Sequence, residues 1–293
     1  TVNPISIVLF VMLPLGLIAT TSFSHAVLLP IQLVEMIGDN RKSMALGAIA
    51  ACTSLSGMLA AVLSGFISDR LKTPFGSRTP IITIATITMI VSFICRVYTV
   101  GTGGVFLFLN ASLLCLQDIC CSSAMACFIA MLPDAFNHKQ IGLVSGLHSM
   151  MTIAGGLVGA AIFGGTFRTM LPQWGTVVLL SLLSTLCLFI FLLFAREPLD
   201  HYTTGFSFAL TKSTSYTDES LSRARRIIIR ARAVVAEALS CFKDKNFGFC
   251  FISRSFFALC MGYLQNFTLF YFTDKFVKYS FFGNKTLITT PQQ

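Results

Sequence analysis

Seven long apolar runs, separated by polar segments, dominate the hydrophobic pattern of the chain. A helix needs about 20 predominantly apolar residues to cross a hydrocarbon layer of about 30 Å. The first run contains Pro14 and Pro30, so we expect the first helix to be kinked or tilted. The pattern predicts an all-α membrane protein with seven spans, at residues 6–34, 44–67, 81–100, 104–131, 141–166, 175–195 and 247–272.

Small residues recur at close spacing inside several of these runs, as in "GAIAACTSLSGMLAAVLSG" and "AGGLVGAAIFGG". Apolar helices gain little from hydrophobic contact within lipid, so they associate where small side chains let their backbones approach closely. The pattern therefore predicts helices that pack together in a bundle rather than isolated membrane anchors.

The composition agrees with a protein whose main solvent is the lipid bilayer. Hydrophobic residues make up 55% of the 293 residues, charged residues only 11%, and the mean hydropathy is +0.78. The net charge of +9 does not indicate a nucleic-acid partner, because the basic residues lie between apolar runs rather than along one polar face. Most of the ten cysteines lie inside apolar runs without C-x-x-C spacing, so we expect no disulfide framework, no metal site and no cofactor.

The Lys and Arg residues of the polar segments predict the orientation. Thirteen lie in the segments after spans 2, 4 and 6, against six on the opposite side. Cytoplasmic loops carry the excess of positive charge. We therefore expect a multi-pass membrane protein whose N-terminus is cytoplasmic, while the particular membrane stays open.

The long segment at residues 196–245 divides the chain. Its second part, "SLSRARRIIIRARAVVAEALSCF", interleaves Arg with apolar residues at helical spacing. This pattern predicts a basic amphipathic helix at about residues 220–243 on the cytoplasmic membrane surface, or alternatively a regulatory target helix of the calmodulin-binding kind. We divide the chain into a six-helix bundle at 1–195, a linker at 196–245, and the first helix of a second bundle at 246–293.

The stretch "SGFISDRLKTPFGSRTP" between spans 2 and 3 is the most polar part of the first hundred residues. Pro and Gly favour a tight turn here, and breakable polar contacts at a helix mouth suit a gate. The elements G-x-x-x-D-R and G-x-R resemble the loop 2–3 signature of the major facilitator superfamily. The resemblance gives gating roles to Gly65, Asp69, Arg70, Gly76 and Arg78.

Three further passages resemble one branch of that superfamily, the glycoside–pentoside–hexuronide:cation symporters and sucrose transporters. They are "HAVLLPIQLVEMIG", "QDICCSSAMACFIAMLPD" and "FISRSFFALCMGYLQNFTLFYFTD". The sequence departs from the branch where Ser77 and Thr79 replace two arginines of a triplet. Ile129 also stands where sucrose transporters carry an Arg beyond the span-4 Asp.

The resemblance implies a secondary transporter that moves a small polar solute, a sugar or glycoside, by alternating access. A proton or sodium gradient would drive it. Because such transporters have a second bundle, we expect the sequence to be truncated after its seventh span. The alternative is a non-transporting membrane protein, such as a sensor, an assembly subunit or a truncated gene product. No set of nucleophile, base and orienting group indicates an enzyme.

Asp118 is the first candidate for the transport chemistry, because it lies in the middle of span 4. A charge at bilayer depth costs about 2.5–3.5 kcal/mol on insertion scales, so it requires an explanation. Asp118 is either a coupling-ion or hydroxyl-binding group, or a structural carboxylate that bonds a neighbour such as Asn110 or Ser122.

The remaining candidates for substrate or ion coupling are polar residues within the predicted spans: His25, Gln117, His148, Arg254 and Gln265. The histidines are potential proton carriers, and the glutamines are potential hydroxyl ligands. Each has a structural alternative, as a packing histidine, a snorkelling arginine or a glutamine that bridges helices. Arg96 and Glu35 lie near span ends, so we expect them to face the headgroups.

Overall fold

The computed structural model describes residues 4–37, 42–68, 71, 76–99, 104–137, 139–167 and 170–195, together with residues 246, 248–250, 252–253, 256–257 and 260. Within these residues the chain is helical and contains no strand. Six helical segments are long and apolar enough to cross a membrane, which confirms the all-α membrane fold. They are Ile5–Ile37, Ser43–Ser68, Thr79–Val97, Gly104–Ala135, Ile141–Gly165 and Gln173–Phe194, and we call them spans 1 to 6.

Spans 2, 3, 4 and 6 are single α-helices, whereas spans 1 and 5 are composite. The α-helices are Pro4–Phe10, Leu13–Phe23, Leu29–Ile37, Lys42–Ser68, Thr79–Val97, Gly104–Ala135, Ile141–Leu157 and Gln173–Phe194. The π-helical segments are Ser24–Leu28 in span 1 and Val158–Phe167 in span 5. The boundaries predicted for the first six spans agree with these helices to within a few residues.

The two prolines of span 1 coincide with its two interruptions. Pro14 is in the first turn of helix Leu13–Phe23, directly after a turn at residues 11–12. Pro30 follows the π-helical segment, in which the Leu29 N–H donates to the carbonyl of Ser24. A proline has no N–H and its ring collides with the carbonyl four residues earlier, so the turn preceding Pro30 cannot stay a regular α-helix.

Span 1 packs closely on span 5 through glycines. A Cβ added at Gly155 would lie 2.6 Å from the carbonyl oxygen of Leu15, and one added at Gly159 would collide with the Ala19 backbone. The two glycines are four residues apart, which places them on one helix face. The small-residue pattern "AGGLVGAAIFGG" therefore marks a close helix contact, as the sequence predicts.

A cluster of aromatic rings occupies the core near the start of span 1. The ring of Phe10 lies 5.4 Å from that of Phe128 and 5.3 Å from those of Phe136 and Phe191. Many large apolar side chains, such as Ile84, Phe108 and Leu182, are exposed on the outer faces of the spans. In a bilayer these faces contact lipid, so their exposure involves no loss of apolar burial.

Two predicted elements cannot be compared with the structure. The amphipathic helix at about 220–243 lies outside the described residues, and the seventh span at 247–272 is described only at isolated positions. These elements, and the division into a bundle, a linker and a second bundle, stay predictions.

Candidate functional site

Polar side chains of spans 1 and 4 meet in the middle of the bundle through two neighbouring contacts. Ser24 Oγ donates a hydrogen bond of 3.0 Å to Gln117 Oε1. The next residue on each span forms the second contact, in which His25 Nε2 lies 2.8 Å from Asp118 Oδ1. The structure therefore brings together three of the predicted site residues, His25, Gln117 and Asp118.

The His25–Asp118 contact, which we call the central pair, is nearly buried but not sealed. The side chains are 13% and 14% exposed, respectively. His25 lies in the π-helical segment of span 1, and such segments occur frequently at functional sites. Gly57 of span 2 packs against span 4 beside this pair, where an added Cβ would lie 2.7 Å from Ser122 Oγ.

Behind the central pair lies a fully buried cluster around Arg96 of span 3. Arg96 is 0% exposed. Its guanidinium donates to Ser24 Oγ, to Gln117 Oε1 at 3.4 Å, and to Gln32 Oε1 and Asn110 Oδ1, both at 3.3 Å. With Thr99, which accepts from Asn110 Nδ2 at 3.1 Å, these residues form the Arg96 cluster: Ser24, Gln32, Arg96, Thr99, Asn110 and Gln117.

The expectation that Arg96 faces the headgroups is wrong. Gln32 on span 1 and Asn110 on span 4 provide acceptors inside the bundle, so the guanidinium is solvated by side chains instead of by water. Its position within a predicted span was the signal that could have found it, because an ionisable residue at membrane depth is by default a functional candidate. Ser24 and Gln32 carried no comparable signal, while Glu35 is exposed.

Three buried polar atoms in this region have no hydrogen-bond partner among the described residues. They are His25 Nδ1, Gln117 Nε2 and Arg96 Nε. Buried polar atoms are usually satisfied, so the region retains capacity to bind a polar group. No group of three His, Cys, Asp or Glu side chains within the described ranges could hold a metal ion.

The other predicted candidates lie elsewhere. His148 of span 5 stacks on Phe128, with ring centroids 5.8 Å apart, as part of the aromatic cluster. Phe128 is ten residues beyond Asp118, or about 15 Å along an α-helix. Arg254 and Gln265 lie outside the described residues. Of the two suggested structural partners of Asp118, Asn110 belongs to the Arg96 cluster and Ser122 faces Gly57.

Residues 76–78, the described end of the loop between spans 2 and 3, lie at the opposite end of span 4 from Asn110. Gly76 has a φ of 101°, a left-handed conformation that favours glycine. Arg78 Nη1 lies 2.5 Å from Asp134 Oδ2 and also donates to the carbonyl of Ala130. We call Arg78–Asp134 the loop pair. A Cβ added at Gly65, near the end of span 2, would meet no described atom within 4 Å, and Asp69 and Arg70 lie outside the described residues.

The fold and this site are those of a helical membrane protein with charged and polar groups in its interior. Six apolar helices enclose a histidine–carboxylate contact and a buried guanidinium at membrane depth, and such groups mark the paths of solutes and ions through helical membrane proteins.

Comparison with known families identifies the group within that class. The sequence model of the Major Facilitator Superfamily matches residues 6–290, so the chain belongs to this superfamily of membrane transporters. Its members transport small molecules across membranes and are not enzymes. A comparison with curated proteins gives no match. The sugar-transporting branch to which the sequence is similar stays a prediction.

Proposed function

We propose that this transporter moves a sugar or glycoside by alternating access and couples the movement to a proton gradient. The six spans would form one half of the transporter, with the N-terminus and the loop pair on the cytoplasmic side. The central pair would be the coupling site. The observation that carries the proposal is the 2.8 Å contact between His25 Nε2 and Asp118 Oδ1 in the interior of the bundle.

A histidine and a carboxylate in direct contact can share and exchange a proton. With Asp118 ionised, a neutral His25 donates its Nε2 proton to the carboxylate, and an added proton converts the pair into an imidazolium–carboxylate pair or two neutral groups. The side chains of the pair are only 13% and 14% exposed, so the pair lies in surroundings of low dielectric constant. A change in its net charge therefore changes its interaction energy with neighbouring groups strongly. Sodium would require several oxygen ligands, and the contact with an imidazole therefore favours a proton.

The unpartnered atoms support a hydroxylated solute. In this tautomer His25 Nδ1 is an acceptor, and Gln117 Nε2 is a donor, and neither has a partner among the described residues. A hydroxyl group donates and accepts at the same time. Sugars present many hydroxyls, which can supply a donor to His25 Nδ1 and an acceptor to Gln117 Nε2.

The loop pair supports a gating role for the loop signature. Arg78, at the start of span 3, holds the end of span 4 through Asp134 and the Ala130 carbonyl. Because the Asp134 side chain is 47% exposed, water can replace this contact at modest cost. An alternating-access cycle requires contacts at the mouth that form and break in this way.

Uptake into vesicles that contain the full-length gene product tests the proposal. A panel of radiolabelled sugars and glycosides is offered under a proton gradient, a sodium gradient or no gradient. We expect the proton gradient to drive accumulation of at least one of these solutes, and Asp118→Asn to abolish it. Asp134→Asn is the matched control, since it removes the same charge from the same helix outside the central pair. We expect it to keep the dependence of uptake on the proton gradient, although loss of the loop pair can change the rate.

Three results would contradict this proposal in different ways. Accumulation that follows sodium and ignores the proton gradient would exclude the proton as the coupling ion. Unchanged accumulation by the Asp118→Asn protein would exclude the central pair as the coupling site. A wild-type protein that accumulates none of the sugars under either gradient would contradict the substrate class.

A further inference from the structure

Arg96 is a charged residue without a hydrogen-bonded counter-ion among the described residues of the bundle interior. Among the residues that the structure describes, its guanidinium hydrogen-bonds the neutral side-chain oxygens of Ser24, Gln32, Asn110 and Gln117. A fully buried charge is strongly disfavoured unless an opposite charge or several oriented dipoles compensate it. Four neutral acceptors orient and partly solvate the cation, but they leave its net charge in place.

Asp118 is the carboxylate that balances this charge. Three carboxylates lie within the described ranges, and two of them are unsuitable, because Glu35 is exposed and Asp134 is half-exposed at the other end of span 4. Asp118 interacts electrostatically with Arg96. Asp118 and Arg96 are connected indirectly. The carboxylate contacts His25, while the guanidinium donates to Ser24 and Gln117, the residues next to His25 and Asp118 in the sequence.

The positions of these bonds in the sequence connect Arg96 to the central pair. Ser24 directly precedes His25, and Gln117 directly precedes Asp118. Arg96 Nη1 donates to both Ser24 and Gln117, which also bond each other at 3.0 Å. One guanidinium group thus holds two side chains, one on span 1 and one on span 4, each directly beside a member of the pair.

We propose that Arg96 is a positioning residue of the central pair, which it orients through Ser24 and Gln117 and whose carboxylate it balances in charge. The inference rests on the coupling role given to the pair above. With His25 neutral and Asp118 ionised, these three groups carry no net charge. Uptake of one proton makes them positive, so Arg96 favours proton release when the site opens to water.

The other titratable groups near Asp118, within the part of the chain that the structure describes, are thiols. Cys115 and Cys121 of span 4 interact with the carboxylate, and Cys52 of span 2 lies close to Cys115. His25 and Arg96 are therefore the two basic groups near Asp118 among the same residues. Removal of the Arg96 charge should consequently change how strongly a proton gradient drives uptake.

Charge balance and orientation are tested with the full-length protein without any solute. Arg96→Gln, Arg96→Lys, Asp118→Asn and the double variant Arg96→Gln/Asp118→Asn are purified, and their thermal unfolding is measured. We expect Arg96→Gln to lower the unfolding temperature, and the double variant to recover part of that loss. A double variant as unstable as the sum of its single variants would overturn the charge balance.

Modification of histidines by diethyl pyrocarbonate, followed by mass spectrometry, reports on the orientation of His25. In Arg96→Gln we expect His25 to react severalfold faster, because its Nε2 is no longer held against Asp118, while His148 reacts at the wild-type rate. Ser184→Ala is the structural control, since Ser184 makes a neutral buried contact to span 1 at Thr20 Oγ1, 2.6 Å away. An equal acceleration at both histidines, or the same effect in Ser184→Ala, would overturn the positioning role.

Uptake into vesicles completes the test. The stimulation of uptake by a proton gradient should fall severalfold in Arg96→Gln and stay near the wild-type value in Arg96→Lys, because lysine keeps the positive charge. Unchanged stimulation in Arg96→Gln would overturn the proposal. If wild-type uptake is absent, the proposed function fails, whereas the unfolding and modification measurements still decide the role of Arg96.

Discussion

Two carboxylates of span 4 contact a basic residue of another span within the described ranges, and the surroundings of these two contacts differ. The central pair joins Asp118 of span 4 to His25, and both side chains are nearly buried, at 14% and 13% exposed. The loop pair joins Asp134, near the end of span 4, to Arg78, and its carboxylate is 47% exposed. In water the loop pair would be the stronger ion pair, because arginine is always charged.

In the folded protein, burial makes the electrostatic interaction of the central pair the stronger of the two. An exposed pair is screened by water and salt, and it contributes about 0–1 kcal/mol. In the interior, the same Coulomb interaction is several times stronger, and a change of one charge must be balanced by the neighbouring groups. The comparison therefore supports the proposed division of roles, with proton coupling at the central pair and a readily broken contact at the loop pair.

The largest expected difference concerns proton coupling. We expect His25→Asn to lower the stimulation of uptake by a proton gradient by about 5- to 150-fold, the usual size of a coupling between two ligands. Arg78→Gln should change the rate of uptake but keep its dependence on the gradient. Initial rates in vesicles at two pH differences measure both effects. Equal loss of gradient dependence in the two variants would remove the distinction between the pairs.

The second expected difference concerns the backbone that holds the central pair. An added methyl group at Gly159 collides with Ala19, six residues before His25, so Gly159→Ala should destabilise the protein by about 1–3 kcal/mol. Gly142 lies on the same span with nothing within 4 Å, and Gly142→Ala should be neutral or stabilising by up to about 1 kcal/mol. Thermal unfolding in detergent compares the two variants. Equal effects would show that span 5 does not confine span 1.

A smaller effect is expected at the loop pair. Asp134→Asn should lower the unfolding free energy by at most about 1 kcal/mol, because water already screens this carboxylate. Denaturant titration of the wild-type and variant proteins measures the difference. A loss of more than about 2 kcal/mol, above the range for exposed pairs, would mean that the loop pair acts like a buried contact and that the comparison fails.

The smallest expected effect is that of salt. The screening length falls from about 10 Å at 0.1 M to about 3 Å at 1 M ionic strength. The stability difference between wild type and Asp134→Asn should therefore shrink toward zero in about 1 M salt, while the difference between wild type and Asp118→Asn should persist. A salt-sensitive difference at Asp118 would place the central pair in contact with bulk solvent.

Most of the described fold follows from local properties of the sequence. The six spans can be predicted from apolar runs alone, because a helix in lipid must satisfy its own backbone hydrogen bonds whatever its neighbours are. The interruptions at Pro14 and Pro30 also follow, since proline acts on its own turn. The sequence also predicts that Gly155 and Gly159 lie at a close helix contact, but it does not indicate that span 1 is the partner helix.

The candidate site was predicted in part. His25, Gln117 and Asp118 stand out as polar residues within apolar spans, yet nothing in their spacing states that His25 lies against Asp118, 93 positions away. Arg96 was misassigned for the same reason. Its position near the end of the predicted span suggested a headgroup contact, whereas acceptors from spans 1 and 4 enclose it.

The sequence by itself determined that lipid is the main solvent of the chain. It also determined the number and length of the described spans, the superfamily and a short set of candidate residues. All of these depend on composition or on neighbours along the chain. Only the tertiary structure decided which polar groups face one another, because in lipid that choice depends on the packing of helices that are distant in sequence. The pairing of His25 with Asp118, and the burial of Arg96 behind it, are products of that packing.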